Sequence, residues 1–297
     1  MASLKEVKTR IASVNNTRKI TSAMKMVASS KLHHAQQSIE NMRPYQSRLE
    51  RMTTTFVAHL EGDVSSPYAV QREVKRVAIV VYSSNSSLCG AFNANIIKVF
   101  NKKVEEYRTQ GIEVVAVYPL GRKAADAARK AGFSNCPDYT ALLDHPAYEP
   151  ASRIAAELMQ KFEAGEVDKI DLIFHHFKSI AKQEVTEEVF LPVSLDFTIK
   201  QTEKEDAAPA TGYRDNYIVE PSVEEVLERL IPKSLHLKLY TALLDSLASE
   251  HASRVVAMQV ATDNADELLR QLKLTYNKTR QQAITAELLD IVGGSMQ

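Results

Sequence analysis

Ser83, Ser84, Ser86, Ser87 and Cys89 crowd the residues that follow a strand-like run at 74–82, the place where an open parallel sheet binds its ligands. Hydroxyls and a thiol there could hold a small polar molecule, and the competing reading is a structural turn with a helix N-cap. No Gly-x-Gly-x-x-Gly follows a strand and no Gly-x-x-x-x-Gly-Lys-Ser/Thr occurs, so both common phosphate cradles are missing. His175 and His176 fall in an apolar run at 172–177. Neighbours on a strand point to opposite faces, which is wrong for chelating one metal. His33 and His34 stand about 100° apart on a helix and share that defect. Glu187 and Glu188 have no base, nucleophile or Gly-rich turn beside them and read as a solvated surface. Cys89 and Cys136 lack any Cys-x-x-Cys or His-rich neighbour, so both read as reduced thiols. No catalytic, cofactor or metal site is expected from these groups.

The elements that would position such residues are of two kinds. Apart from Gly293 and Gly294, every glycine falls between Gly62 and Gly212; only Pro44 interrupts the first 60 residues, and no proline follows Pro232. Two stretches without helix breakers can each be one long helix. Leu4, Val7, Ile11 and Val14 form a narrow stripe of the kind that seams a coiled coil, and Leu269, Leu272, Tyr276, Thr279 and Ala283 repeat that spacing with small and polar members. A helix over 233–292 would reach roughly 90 Å and must pair or protrude. Between the ends, strand-like runs at 74–82, 113–118, 169–177 and 185–193 alternate with helical runs at 88–108, 122–131 and 150–163, an α/β pattern. The polar stretch 201–217 reads as a mobile loop. The expected fold class is therefore α/β: a long antiparallel coiled coil of the N- and C-terminal helices, 1–60 and 221–297, with an inserted Rossmann-like α/β domain at 70–200 and a loop at 201–220.

The longest apolar run, 77–82, is far short of the roughly 20 residues that cross a bilayer, and the N-terminus has no apolar signal core. A soluble, unexported chain is expected. Net charge is zero, yet residues 1–60 hold 10 Lys or Arg against 3 Asp or Glu. Within them, 15–31 combines Arg18, Lys19, Lys25 and Lys31 with Met24, Met26 and Val27 and has no acidic residue. An amphipathic cationic helix fits a nucleic acid, a targeting role or an acidic protein surface. Residues 1–40 lack Phe, Tyr and Trp, which weakens base stacking, while methionine favours an adaptable protein contact.

The segments NNTRKITSAMKMVASSKLHHAQ near the start, SEHASRVVAMQVATDNADEL at 249–268 and YNKTRQQAITAELLDIVGG at 276–294, with Thr285, Glu287 and Asp290 in patterned positions, resemble the gamma subunits of bacterial-type F-type ATP synthases. The resemblance spans nearly the whole chain. It implies a non-catalytic rotor shaft lodged in a ring of alternating alpha and beta subunits, coupling proton flow through the membrane-embedded c-subunit ring to ATP synthesis and hydrolysis. It also implies an epsilon-type regulatory subunit as partner, no cofactor, no nucleic acid, and a peripheral position on the cytoplasmic face of the cell membrane. Carried over by position, Met24 and Lys25 would lie near the acidic loop of a beta subunit, and Arg254, Gln281 and Thr285 would contact the ring. Asn85, Ser86 and Ser87 depart from the family's Asp, Arg and Gly before Leu-Cys-Gly. No long insertion with paired cysteines is present, so the thiol regulation of chloroplast relatives is not expected. An α/β ligand-binding enzyme and a basic coiled-coil nucleic-acid binder are the competing classes.

Overall fold

The computed structural model describes residues 4–59, 66–193, 217 and 219–295. All of the expected 201–217 loop except Tyr217 lies outside them. Helix α1 spans Leu4–His59 and α6 spans Val223–Ser295, about 84 and 110 Å of helix at 1.5 Å per residue. Between them come β1 (Arg76–Tyr82), α2 (Phe92–Thr109), β2 (Glu113–Leu120), α3 (Arg122–Lys130), α4 (Thr140–Asp144), α5 (Tyr148–Glu163), β3 (Lys169–Phe177) and β4 (Gln183–Leu191).

The sheet order is β2-β1-β3-β4, with β1 parallel to both neighbours and β4 antiparallel to β3. Residues 77–82 of β1 are all buried, as a central strand covered on both faces requires. One face, through Val77, Ile79, Val81 and Ile173, packs on α2 and α3 by way of Ile96, Phe100, Val104 and Ala128. The other, through Ala78, Val80, Leu172 and Phe174, packs on α5 and on Leu235, Leu239, Leu243 and Leu247 of α6. The first third of α6 is thus part of the sheet's own core, and the helix then runs on beyond it.

Three local readings are corrected. The expected helix over 88–108 begins only at Phe92, because Leu88 (φ 67°) and Gly90 (φ 59°) take left-handed conformations that no helix continues through. Helix α6 starts at Val223, within the expected 221–297 segment but ten residues before the stretch taken as unbroken from 233, and runs through Pro232. A mid-helix proline costs about 3 kcal/mol or more, and burial of Leu227, Ile231, Leu235 and Leu239 around it offsets that cost. Ala283, placed on the seam by spacing, is exposed. No helix among the described residues is long and apolar enough to cross a membrane.

Candidate functional site

In α1 the seam continues far past Val14. Leu4, Val7, Ile11, Val14, Arg18, Thr21, Lys25, Ala28, Leu32, Ala35, Ile39, Met42, Gln46, Leu49, Thr53 and Phe56 are the covered or half-covered positions at unbroken three-four spacing. That is a seven-residue repeat, the pattern that keeps one stripe against a partner helix. Its middle is polar. Arg18 Nη1 lies 3.3 Å from Asp266 Oδ1, the hydroxyls of Thr21 and Thr262 are 2.9 Å apart, and Lys25 Nζ donates to Gln259 Oε1 at 2.6 Å. These ties fix register while adding little stability, since the Arg18–Asp266 pair is open to solvent. Beside them Ile20, Met26 and Val27 point outward and are exposed, a cationic and apolar face left open among the described residues.

Beyond Thr279 every α6 side chain from Arg280 to Leu289 is exposed, among them Ile284, Leu288 and Leu289, followed by exposed Ile291. Gln281 and Thr285 sit here, one turn apart, with Thr285 Oγ1 donating to the Gln281 carbonyl at 2.9 Å. Met24 and Lys25 lie at the polar level of the seam, Met24 half-buried. Arg254, expected to contact the ring, lies against its own chain in this structure. Its side chain is 11% exposed, with Nη1 donating to Glu250 Oε1 at 2.7 Å and Nη2 to Ser86 Oγ at 2.8 Å. The candidate residues are strung out along the helix pair, with about 40 Å of helix between Arg254 and Gln281.

Where an open sheet would bind a ligand, α6 is in the way. Tyr82 at the end of β1 donates its hydroxyl to the Leu239 carbonyl at 3.0 Å, Ser249 Oγ donates to the His175 carbonyl at 3.3 Å, and Ser253 Oγ to Gln183 Oε1 at 3.0 Å. The serine-rich turn is used internally too. Ser83 Oγ accepts the Ala124 N–H at 2.8 Å, so it caps α3, whereas α2 starts at an N-cap Ala91 with no side-chain bond. Asn93 Nδ2 donates to Ser84 Oγ at 2.8 Å and Cys89 Sγ at 3.0 Å. His175 is buried, stacked on Phe92 with ring centroids 4.1 Å apart, and its neighbour His176 faces the other way, 2.7 Å from Asp245 Oδ2. Burial holds the His175 imidazole down at about 4, while the Asp245 hydrogen bond raises that of His176. The arrangement suits load-bearing contact between a helix pair and a sheet, not turnover.

The family described as ATP synthase matches residues 3–296. The ATP synthase gamma chain of Phocaeicola vulgatus is 55% identical over 296 residues, covering 100% of both chains. The chain belongs to the ATP synthase gamma chain family. That of Bacteroides thetaiotaomicron is 54% identical, again over 100% of both chains, and that of Flavobacterium johnsoniae 46%, over 99% of this chain and 98% of its own. The fold is shared with the rotor of the Euglena gracilis mitochondrial ATP synthase, at TM-score 0.60 and 18% identity over 95% of this chain and 98% of the other. It is shared also with a Tetrahymena thermophila central stalk and c-ring structure, at TM-score 0.56 and 22% identity over 82% and 99%. A gamma chain is the central rotor stalk of an F-type ATP synthase, a subunit and not the catalytic chain.

Reasoning from the sequence did not pick out the Arg18, Thr21 and Lys25 ties or the Glu250, Arg254 and Ser86 cluster. The first was open to it, because counting the seven-residue repeat onward from Val14 lands on those residues. The second joins positions 168 residues apart, and no local spacing announces it.

Proposed function

We propose that the helix pair turns inside a ring of alternating alpha and beta subunits while the body built on the four-stranded sheet rides below it on the c-subunit ring, at the cytoplasmic face of the membrane, with an epsilon-type subunit docked on that body. In this reading 1–60 and 221–297 form the shaft and 70–200 the body. Met24 and Lys25, with the exposed Ile20, Met26 and Val27 beside them, meet the acidic loop of a beta subunit. Gln281 and Thr285 meet the ring where the shaft passes through it. The observation that carries the reading is the end of α6, which leaves Ile284, Leu288, Leu289 and Ile291 exposed on a helix that has outrun α1. Such an apolar end needs a sleeve.

The shaft is asymmetric about any axis through the ring, since one of its two helices ends before the other. Each angle therefore stabilises a different conformation of each beta subunit, and torque becomes a sequence of binding affinities. Flexible methionines and long-range charge attraction hold the surfaces together without a deep fixed well.

A tagged copy purified from its native membranes should bring alpha and beta subunits and ATP hydrolysis with it; recovery alone, or with nucleic acid, sinks the proposal. In that complex Lys19→Glu with Lys25→Glu should leave assembly intact and lower ATP-driven ion pumping several-fold, because both charges then repel the acidic loop. Deleting 293–297 should leave the amount of assembled complex nearly unchanged, since a tip in a rotating bearing can have few fixed partners. Loss of the complex on that deletion counts against the bearing.

A further inference from the structure

The polar ties between α6 and the body stop at one residue. Ser249 and Ser253 bond to the ends of β3 and β4, and Arg254 bonds to the turn after β1, reaching Ser86 Oγ at 2.8 Å and the Ser87 carbonyl at 3.5 Å. Past it, the cross-element polar partners of α6 among the described residues, at Gln259, Thr262 and Asp266, are on α1. Among the described hydrogen bonds between α6 and the body, that of Arg254 lies farthest along the helix.

Its guanidinium is held at both ends. Nη1 bonds Glu250 one turn below on the same helix at 2.7 Å, which fixes the side chain against α6, and Nη2 crosses to the body. The turn it meets is braced in its own right. Asn85 Nδ2 donates to the Thr140 carbonyl at 2.8 Å and to Asp144 Oδ1 at 3.2 Å, and Asn85 Oδ1 accepts the Arg122 N–H at 3.2 Å. Force on Ser86 thus passes to α3 and α4. On the other side a cavity of about 300 Å³, lined by Lys31, His34 and Ser38 of α1 and by Asn85, Glu250 and His251, keeps α1 off this turn. Among the described residues, the shaft's hydrogen bonds to this turn come from Arg254 of α6.

Apolar contact, which forms most of the seat of α6, is non-directional and resists separation better than twisting. A charge-assisted hydrogen bond is directional and sits off the helix axis. We propose that Arg254 is the torsional latch of the shaft, a positioning residue that stops α6 from turning on the body by holding Ser86. Asn85, Ser86 and Ser87 form its keeper.

The inference rests on the rotor reading, and one experiment separates the two. In the assembled complex, with the ring immobilised and a bead on the body, bead rotation on adding ATP checks that the chain is a rotor at all. Its angular variance without nucleotide then reads torsional stiffness. Ser86→Ala should widen the variance by about 1.2-fold, as losing one of six comparable, independent ties of α6 to the body requires, the others being Lys238–Val189, Leu239–Tyr82, Asp245–His176, Ser249–His175 and Ser253–Gln183. Ser86→Asp, which gives the guanidinium an ionic partner, should narrow it. Arg254→Lys should fall between wild type and Ser86→Ala, because an ammonium cannot span both partners as a fork does. Rotation with unchanged variance in both Ser86 variants overturns the latch, and no rotation in the wild type overturns the rotor reading.

Discussion

Gly121→Ala will destabilise the chain by roughly 3 kcal/mol or more, read as a fall in the urea midpoint with an unchanged m-value. Gly121 precedes α3 with φ 118° and ψ 148°, a backbone region that is almost closed to residues with a side chain. The added methyl would also lie 2.5 Å from the Ser83 carbonyl oxygen and 2.6 Å from Ser83 Oγ. Neither atom can yield cheaply. The Ser83 N–H is bonded to the Leu120 carbonyl at 2.8 Å, and its hydroxyl caps α3 through Ala124. Displacing Ser83 breaks that cap and moves the turn that carries Ser86, so the shaft's seat should loosen together with the sheet. Gly111→Ala is the control. Its φ is 72°, but nothing lies within 4 Å of the added methyl, so only the backbone cost of about 1–2 kcal/mol applies. Equal losses at the two sites would show that the Ser83 contact does not matter.

What could be read from residues alone was whatever a short-range rule controls. The strand at 169–177 came out as observed because Ile170, Leu172, Ile173 and Phe174 are apolar and bounded by turns. The missing helix breakers announced two long helices because proline and glycine act locally. The start of α2 was missed by four residues, since nothing in Leu88 reveals that it will adopt a positive φ. Pro232 looked like a boundary because its cost is local, whereas the packing that offsets it comes from Val80, Leu172 and α5 across the core. The same limit governed the site. Met24 and Lys25 could be placed on a cationic stripe from spacing. The inward turn of Arg254 could not, because its partner is a loop residue far along the chain. The serine-rich turn illustrates the converse. Its residue types allow a ligand site, and only the fold shows that the hydroxyls of Ser83, Ser84 and Ser86 already have protein partners on α3, α2 and α6.

Acid will weaken the joint between helix and sheet, and His175 is one of two buried histidines where the effect should appear. Both ring nitrogens of His175 are buried without a hydrogen-bond partner, so protonation adds a charge with nothing to receive it. Burial pushes its pKa from 6.5 to about 4; His251, one turn from Arg254, is pushed to about 4 by burial first, then by the Arg254 and Lys31 charges. Each folded-state value lies below the unfolded one, so the unfolded chain binds more protons in between. The stability each contributes is complete above about pH 6.5, drains as the pH falls toward 4, and levels off below that. From a shift of that size, each site loses roughly 3 kcal/mol across the window. Two neighbours act in the opposite sense. His176, raised by Asp245, adds stability that is present in acid and lost as the pH rises through its pKa, and burial raises Glu250, so acid relieves its strain. A wild-type profile alone therefore cannot isolate the effect, and His175→Phe can, since it keeps a ring against Phe92 and removes the titration. The stability difference between wild type and variant should shrink or invert by roughly 3 kcal/mol between pH 7 and pH 4, measured by urea unfolding of the full chain. A difference that stays constant across that range would mean that the imidazole reaches water in the native state. Because the His175 carbonyl is the anchor of Ser249, the loss should show first as faster amide exchange in the part of α6 around Ser249 and Ser253.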